Sequence, residues 1–225
     1  MAELILALDL PDRGSALRLL DRLPALRWAK VGSQLMTAEG PPLVRELVAR
    51  GLDVFLDLKW HDIPNTVQGA VASARALGVR MVTVHTLGGS AMLRAAAAAM
   101  GEGLSVVGVT VLTSHDELDY ATALGRPSVR LLDEAARLAR SAVSAGLSGI
   151  VCSPLEADRI RAGLGPDPLI VVPGIRRPGD ESGDQNRTAT PAEAIRDGAT
   201  HLVVGRPILL AADPAAALDE FLAAF

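Results

Sequence analysis

The chain predicts an α/β fold, a single-domain (β/α)8 TIM barrel spanning residues 1–225, and three observations lead there. Short runs rich in Val, Ile and Leu alternate from end to end with Ala/Leu/Arg segments of helical spacing. No Pro/Ser-rich linker breaks that rhythm, and 225 residues is close to the usual barrel length of about 250. Polar residues gather where the apolar runs stop: Asp9, Lys30, Asp57, Lys59, His85, Thr113, Pro173-Gly174 and Gly205-Arg206. In a barrel those strand ends meet at one mouth, where active sites are built. A doubly wound open sheet shares the local pattern but gathers ligands only at its switch point, leaving most of these positions apart.

Leu4–Leu8 is the first strand, followed by a helix whose apolar face is Ala16, Leu17, Leu20 and Leu23. Trp28–Val31 is the second, with Leu43, Leu47 and Val48 marking the helix behind it. The third, Val54–Leu58, runs on to Ile63-Pro64-Asn65-Thr66, which turns into a helix. Met81–Val84 is the fourth, and the run Ala95–Ala99 is the spine of its helix. Ser105–Val109 is the fifth, followed by Val129, Leu132, Ala136 and Ala139 on one helical face. Gly149–Val151 is the sixth, and Pro154 opens the helix after it. Leu169–Val172 is the seventh, with Thr190-Pro191 and Glu193 as the next helix start. His201–Val204 is the eighth, and Leu218, Phe221 and Leu222 close the chain. Most of these strands lack polar alternation, as parallel strands covered on both faces do.

Composition narrows the function. Hydrophobic residues make up 49% and charged residues 21%, which reads as a soluble globular protein, and 3% aromatics implies an aliphatic core. A net charge of −4 argues against nucleic-acid binding, which needs a basic stripe. The single cysteine, Cys152, sits in an apolar run and reads as a buried side chain in a reducing cytosol. Neither a signal peptide nor a membrane-length apolar stretch is visible, so a cytoplasmic protein is expected. His61, His85, His115 and His201 lack ligand spacing and read as structural, with His85 a hydrogen bonder at a strand end.

The 22 basic residues include only two lysines, Lys30 and Lys59. In a chain that otherwise uses arginine, a retained lysine suggests a task for which guanidinium is unsuited, such as giving up a proton. Residues two apart on a strand share a face, so Asp57 and Lys59 are expected to face the mouth together, with Leu58 and Trp60 opposite. Lys30, Asp9 and Asp62 would join them, making two cations and three carboxylates. A purely structural ion pair would be costly to desolvate and would add little stability. Arg176, Arg177, Arg187 and Arg206 follow the seventh and eighth strands, the corner of a barrel that frequently holds phosphate. Gly205 allows close backbone approach to an anion, and Pro207 starts a helix behind it. Arg177 and Arg187, taken singly, read as solvated. The polar loop from Arg176 to Thr190, with Gly179 and Gly183 as hinges, has the length of a lid.

The run Asp57-Leu58-Lys59-Trp60-His61-Asp62-Ile63-Pro64-Asn65-Thr66 closely resembles the signature of the orotidine 5′-phosphate decarboxylase family, of the short bacterial type. Supporting segments are Leu6-Ala7-Leu8-Asp9, Lys30-Val31-Gly32, Val84-His85 with Gly88-Gly89, and Val111-Leu112-Thr113-Ser114. Later ones are Pro173-Gly174-Ile175-Arg176, Gly183-Asp184-Gln185-Asn186-Arg187 and Val203-Val204-Gly205-Arg206-Pro207-Ile208. Asp-x-Lys-x-x-Asp alone is shared with relatives of other activity; the Ile-Pro-Asn-Thr continuation and the Gly-Asp-Gln loop are more specific.

The resemblance implies decarboxylation of orotidine 5′-phosphate to UMP without a cofactor or a metal. It implies Lys59 as proton donor, Asp57 beside the leaving carboxylate, Asp62 helping to hold Lys59, and Lys30 and Asp9 on ribose hydroxyls. Phosphate would meet Arg176, Gln185, Gly205 and Arg206, and the pyrimidine edge Thr113 with Ser114 nearby. The family is dimeric, so Asp62 and Thr66 are expected to reach the partner's site. Two rivals stand beside this reading. One is a Mg2+-dependent phosphosugar decarboxylase, aldolase or epimerase on the same barrel, and the other a catalytically silent nucleotide-binding module.

Overall fold

Val, Ile and Leu runs that bury both faces form a ring of parallel strands, each returned to the next by a helix on the outside. The computed structural model describes residues 2–180 and 187–224. The strands are β1 (Glu3–Ala7), β2 (Trp28–Gly32), β3 (Asp53–Trp60), β4 (Met81–His85), β5 (Ser105–Val109), β6 (Gly149–Val151), β7 (Leu169–Val172) and β8 (His201–Val204). They close into a barrel in chain order, with β8 pairing back onto β1 through Glu3↔His201 to Leu6↔Val204. The outer helices are α1 (Arg13–Leu20), α2 (Ser33–Ala49), α3 (Pro64–Ala76), α4 (Gly89–Ala99), α5 (Glu117–Ala123) and α6 (Leu131–Ser144). They continue as α7 (Pro154–Leu164), α8 (Pro191–Arg196), α9 (Arg206–Leu209) and α10 (Pro214–Leu222). Among the described residues no helix is long and apolar enough to cross a membrane.

Two layers of core follow from alternation along each strand. Outward residues such as Leu4, Leu6, Val54, Leu56, Val82 and Val204 pack under the helices. Inward residues Ile5, Ala7, Trp28, Phe55, Met81, Val107, Val171 and Val203 fill the barrel, so its lower half is packed and not a pore. Gly149 is required where β6 meets β7, because a Cβ there would fall 2.1 Å from the Leu169 carbonyl oxygen. The helix starts read from sequence at Pro154 and at Thr190-Pro191 with Glu193 are present, and each proves to be a reciprocal capping box, Ser153 with Glu156 and Thr190 with Glu193. The inward series of β1, β2 and β3 turn polar near the C-terminal rim, at Asp9, Lys30 and Asp57, whereas β5, β6 and β7 bring Val109, Val111, Val151 and Pro173 to the mouth.

Candidate active site

Three consecutive strands supply the polar centre. Lys30 follows Trp28 on the inward face of β2, Asp57 follows Phe55 on β3, and Thr83 follows Met81 on β4. Asp9 comes from the turn after β1. Lys30 Nζ lies 3.0 Å from Asp9 Oδ1 and 3.7 Å from Asp57 Oδ2. Lys59 Nζ donates to both oxygens of Asp57, at 2.9 and 3.0 Å. Carboxylates and ammoniums therefore run Asp9–Lys30–Asp57–Lys59, each charge beside its opposite. The side chains of Lys30 and Asp57 are 10% and 14% exposed, whereas Lys59 keeps 40%, so Lys59 is the more open of the two lysines. Gly32 stands over the pair: a Cβ there would sit 3.1 Å from Lys30 Nζ.

Asp57 and Lys59 meet as expected, but not through regular strand alternation. Leu56 pairs with Val82 and Trp60 with Val84, so β3 carries two more residues than β4 over this stretch. Lys59 sits inside that irregularity with φ 52, and it is the one non-glycine residue with positive φ among the described residues. Non-glycine side chains rarely adopt that conformation, and such strain gathers at working sites. Leu58 and Trp60 do turn outward, against the helix-side core. The lysine is thus aimed by a bulge, which a run of letters does not announce.

A cavity of about 710 Å3 opens over this array. Its wall includes Asp9, Lys30, Asp57 and Lys59 on one side, Thr113 and Ser114 after β5, and Arg176, Gly205 and Arg206 after β7 and β8. β7 lies four strands from β3 in either direction round the ring, so Arg176 stands across the mouth from Lys59, with Arg206 beside it after β8. Arg206 begins α9, a single turn with Gly205 as an N-cap that has no side-chain bond. A Cβ on Gly205 would point at Ala7 and Asp9, into the mouth. The size suits a nucleotide-sized ligand.

Several expectations change. Asp62 and Thr66 are exposed and do not line this cavity; Asp62 Oδ1 accepts from the Ile63 amide at 2.6 Å. The chain's own mouth therefore gathers two carboxylates with its two lysines, not three. Gln185, with Gly183, Asp184 and Asn186, falls outside the described residues. Arg187 is not solvated: its side chain is 12% exposed, pairs with Glu156 and donates to the Leu112 carbonyl at 2.9 Å. Arg177 is held by Asp180 and Glu220 and lies over the Phe221 ring, away from the cavity wall.

Burial has pushed two histidines towards the neutral form. His85 stacks on His61 with ring centroids 5.6 Å apart, accepts from the Leu87 amide, and is lowered to about 4 by burial and then by His61 and Lys59. His201 meets Trp28 edge-on at the barrel floor and is also lowered to about 4, by burial and then Arg27. Cys152 is buried on the cavity wall, and burial raises its thiol well above the ordinary value, against a nucleophilic role. No cluster of three or more His, Cys, Asp or Glu able to hold a metal occurs among the described residues. Thr83 is the contributor that sequence reading missed, since its hydroxyl is hidden in an apolar strand run.

Comparison with known proteins agrees with the geometry. The family model described as "Orotidine 5'-phosphate decarboxylase / HUMPS family" matches residues 2–221. A relative from Anaeromyxobacter sp. (strain K), named orotidine 5′-phosphate decarboxylase, is 53% identical over 196 residues, covering 86% of this chain and 85% of its own. One of the same name from Alkalilimnicola ehrlichii is 51% identical over 222 residues, covering 96% and 93%. The crystal structure of orotidine 5′-phosphate decarboxylase from Lactobacillus acidophilus superposes with a TM-score of 0.90 at 35% identity, covering 100% of this chain and 99% of the other.

Proposed function

The chain belongs to the orotidine 5′-phosphate decarboxylase / HUMPS family, and on that premise we propose that its barrel mouth converts orotidine 5′-phosphate to UMP and CO2. The observation that carries this reading is the Lys59 ammonium, aimed into the cavity by a strained bulge and held by Asp57. Breaking the C6–carboxylate bond leaves an electron pair in the ring plane, where no carbonyl of the ring can accept it. A fixed cation at that point stabilises the developing charge. The pair on C6 then takes a proton from Lys59 Nζ, and the amine recovers one from solvent. Arginine in the same place would keep the charge but not readily release a proton.

The remaining roles follow the same wall. Asp57 lies beside the departing carboxylate and orients Lys59, while Lys30 and Asp9 hold ribose hydroxyls. Thr113, with Ser114, meets the pyrimidine edge. Arg176, Gly205 and Arg206 bind the phosphate across the mouth, with Gln185 assigned there by resemblance alone. Binding energy from that distant phosphate is available to organise C6 against Lys59. We further propose a homodimer in which Asp62 of each subunit approaches the other's Lys59 and Thr66 the other's substrate. Their exposure beside Ile63, an apolar side chain left 67% exposed, supports it.

The metal-dependent rival would need Asp9 and Asp57 as ligands, and both already hold a lysine ammonium. The test is the ultraviolet change as orotidine 5′-phosphate is consumed, with and without EDTA. Turnover is expected to persist in the chelator, and Lys59→Arg to lose at least ~10³-fold in kcat, the upper range for removing one transition-state donor. Loss of wild-type turnover in EDTA, or near-normal Lys59→Arg, would refute the proposed mechanism.

A further inference from the structure

We infer that Thr83 is a positioning residue for this reaction: its one buried hydroxyl holds both the carboxylate of Asp57 and the backbone of Lys59. The inference rests on the decarboxylase reading of the mouth. Thr83 has no exposed surface and does not line the cavity, so it acts only through its neighbours. Its Oγ1 accepts from the Lys59 amide at 2.8 Å and donates to Asp57 Oδ1 at 3.0 Å. An amide only donates and an ionised carboxylate only accepts, so both directions are set by the partners.

The bulge explains the need. Between the Leu56↔Val82 and Trp60↔Val84 pairings the ladder from β3 to β4 is interrupted. The Lys59 amide lies in that gap, and a side chain from β4 takes the place of the missing ladder acceptor. The contacts close on themselves: Lys59 amide to Thr83 hydroxyl, hydroxyl to Asp57 Oδ1, and Asp57 Oδ1 to the Lys59 ammonium at 2.9 Å. The hydroxyl thereby ties the ammonium to its own backbone through the carboxylate, while φ 52 is maintained. Valine would fill the same volume, so packing alone does not call for threonine here.

Thr83→Val and Thr83→Ser, assayed for orotidine 5′-phosphate turnover beside the wild type, separate the roles. Thr83→Val is expected to lower kcat about 100-fold, the scale for a reacting group displaced by about 1 Å, with KM within about threefold. Thr83→Ser, which keeps the hydroxyl and loses the methyl, should stay within about fivefold of wild-type kcat, because the positioning bonds survive. A packing role predicts the reverse order. Thr83→Val with near-normal kcat, or Thr83→Ser as impaired as Thr83→Val, would overturn the inference. If Thr83→Val does not fold, Thr83→Cys carries the same test, since a thiol donates and accepts only weakly. Absence of turnover in the wild type itself would instead bring down the decarboxylase reading.

Discussion

Lys59 shows how much one residue can reveal and conceal. Its rarity beside Lys30 in an arginine-rich chain singled it out as the candidate proton donor. Its left-handed backbone, its partner Thr83 and its bulge were hidden, because strand alternation describes only regular pleats. His201 was legible only as a structural histidine. Packed on Trp28 with its Nδ1 2.9 Å from Thr200 Oγ1, it stays neutral down to about pH 4, whereas the same imidazole in the unfolded chain titrates near 6.5. The unfolded state therefore binds the proton first, so stability is intact above pH 6.5 and falls as pH drops towards 4. His85 adds to that slope in the same sense. Glu156, raised by burial, acts oppositely just above its ordinary 4.5. Thermal melts across this window should show a falling melting temperature, with a shallower slope in His201→Gln. An unchanged slope in that variant would remove His201 as a cause.

At the scale of elements, capping boxes and proline starts were readable because their partners lie within four residues. The Arg187–Glu156 pair was not, since it joins the segment after β7 to the first turn of α7. Glu156 serves twice there, accepting from the Ser153 amide at 3.0 Å and pairing with Arg187. Its side chain is 2% exposed, so removing the arginine leaves a buried carboxylate without its partner. Arg187→Met should cost about 3–5 kcal/mol, the usual penalty for breaking a buried pair from one side. For a chain of this length that is a fall of roughly 10 °C in melting temperature. Arg187→Met combined with Glu156→Gln should recover most of it; a double variant no better than the single one would mean the pair is not the source. Arg187 also donates to the Leu112 carbonyl, next to Thr113, so the same link spans the loops after β5 and β7.

For the whole molecule, eight inward-facing series converge because the sheet closes; an open sheet with the same strands would scatter them. The proposed dimer then makes each mouth depend on a second chain for Asp62 and Thr66. Lys59→Ala and Asp62→Ala should each be nearly inactive alone. Mixed after reversible dissociation, they should regain roughly a quarter of wild-type activity, since half the dimers would hold one intact site. No recovery, despite demonstrated subunit exchange, would place Asp62 in its own chain's site, and an active Asp62→Ala variant would place it outside any. The amino-acid order alone determined the barrel, its eight strands within a residue or two at their ends, and which lysines and aspartates stand at its C-terminal rim. These depend on local periodicity and on side-chain type. Tertiary structure decided which charges touch, that Asp62 faces outward, that Arg187 is locked to Glu156, and that a threonine from the neighbouring strand bonds both Asp57 and the Lys59 backbone. Those facts depend on residues far apart in sequence, brought within a few ångströms only when the ring closes.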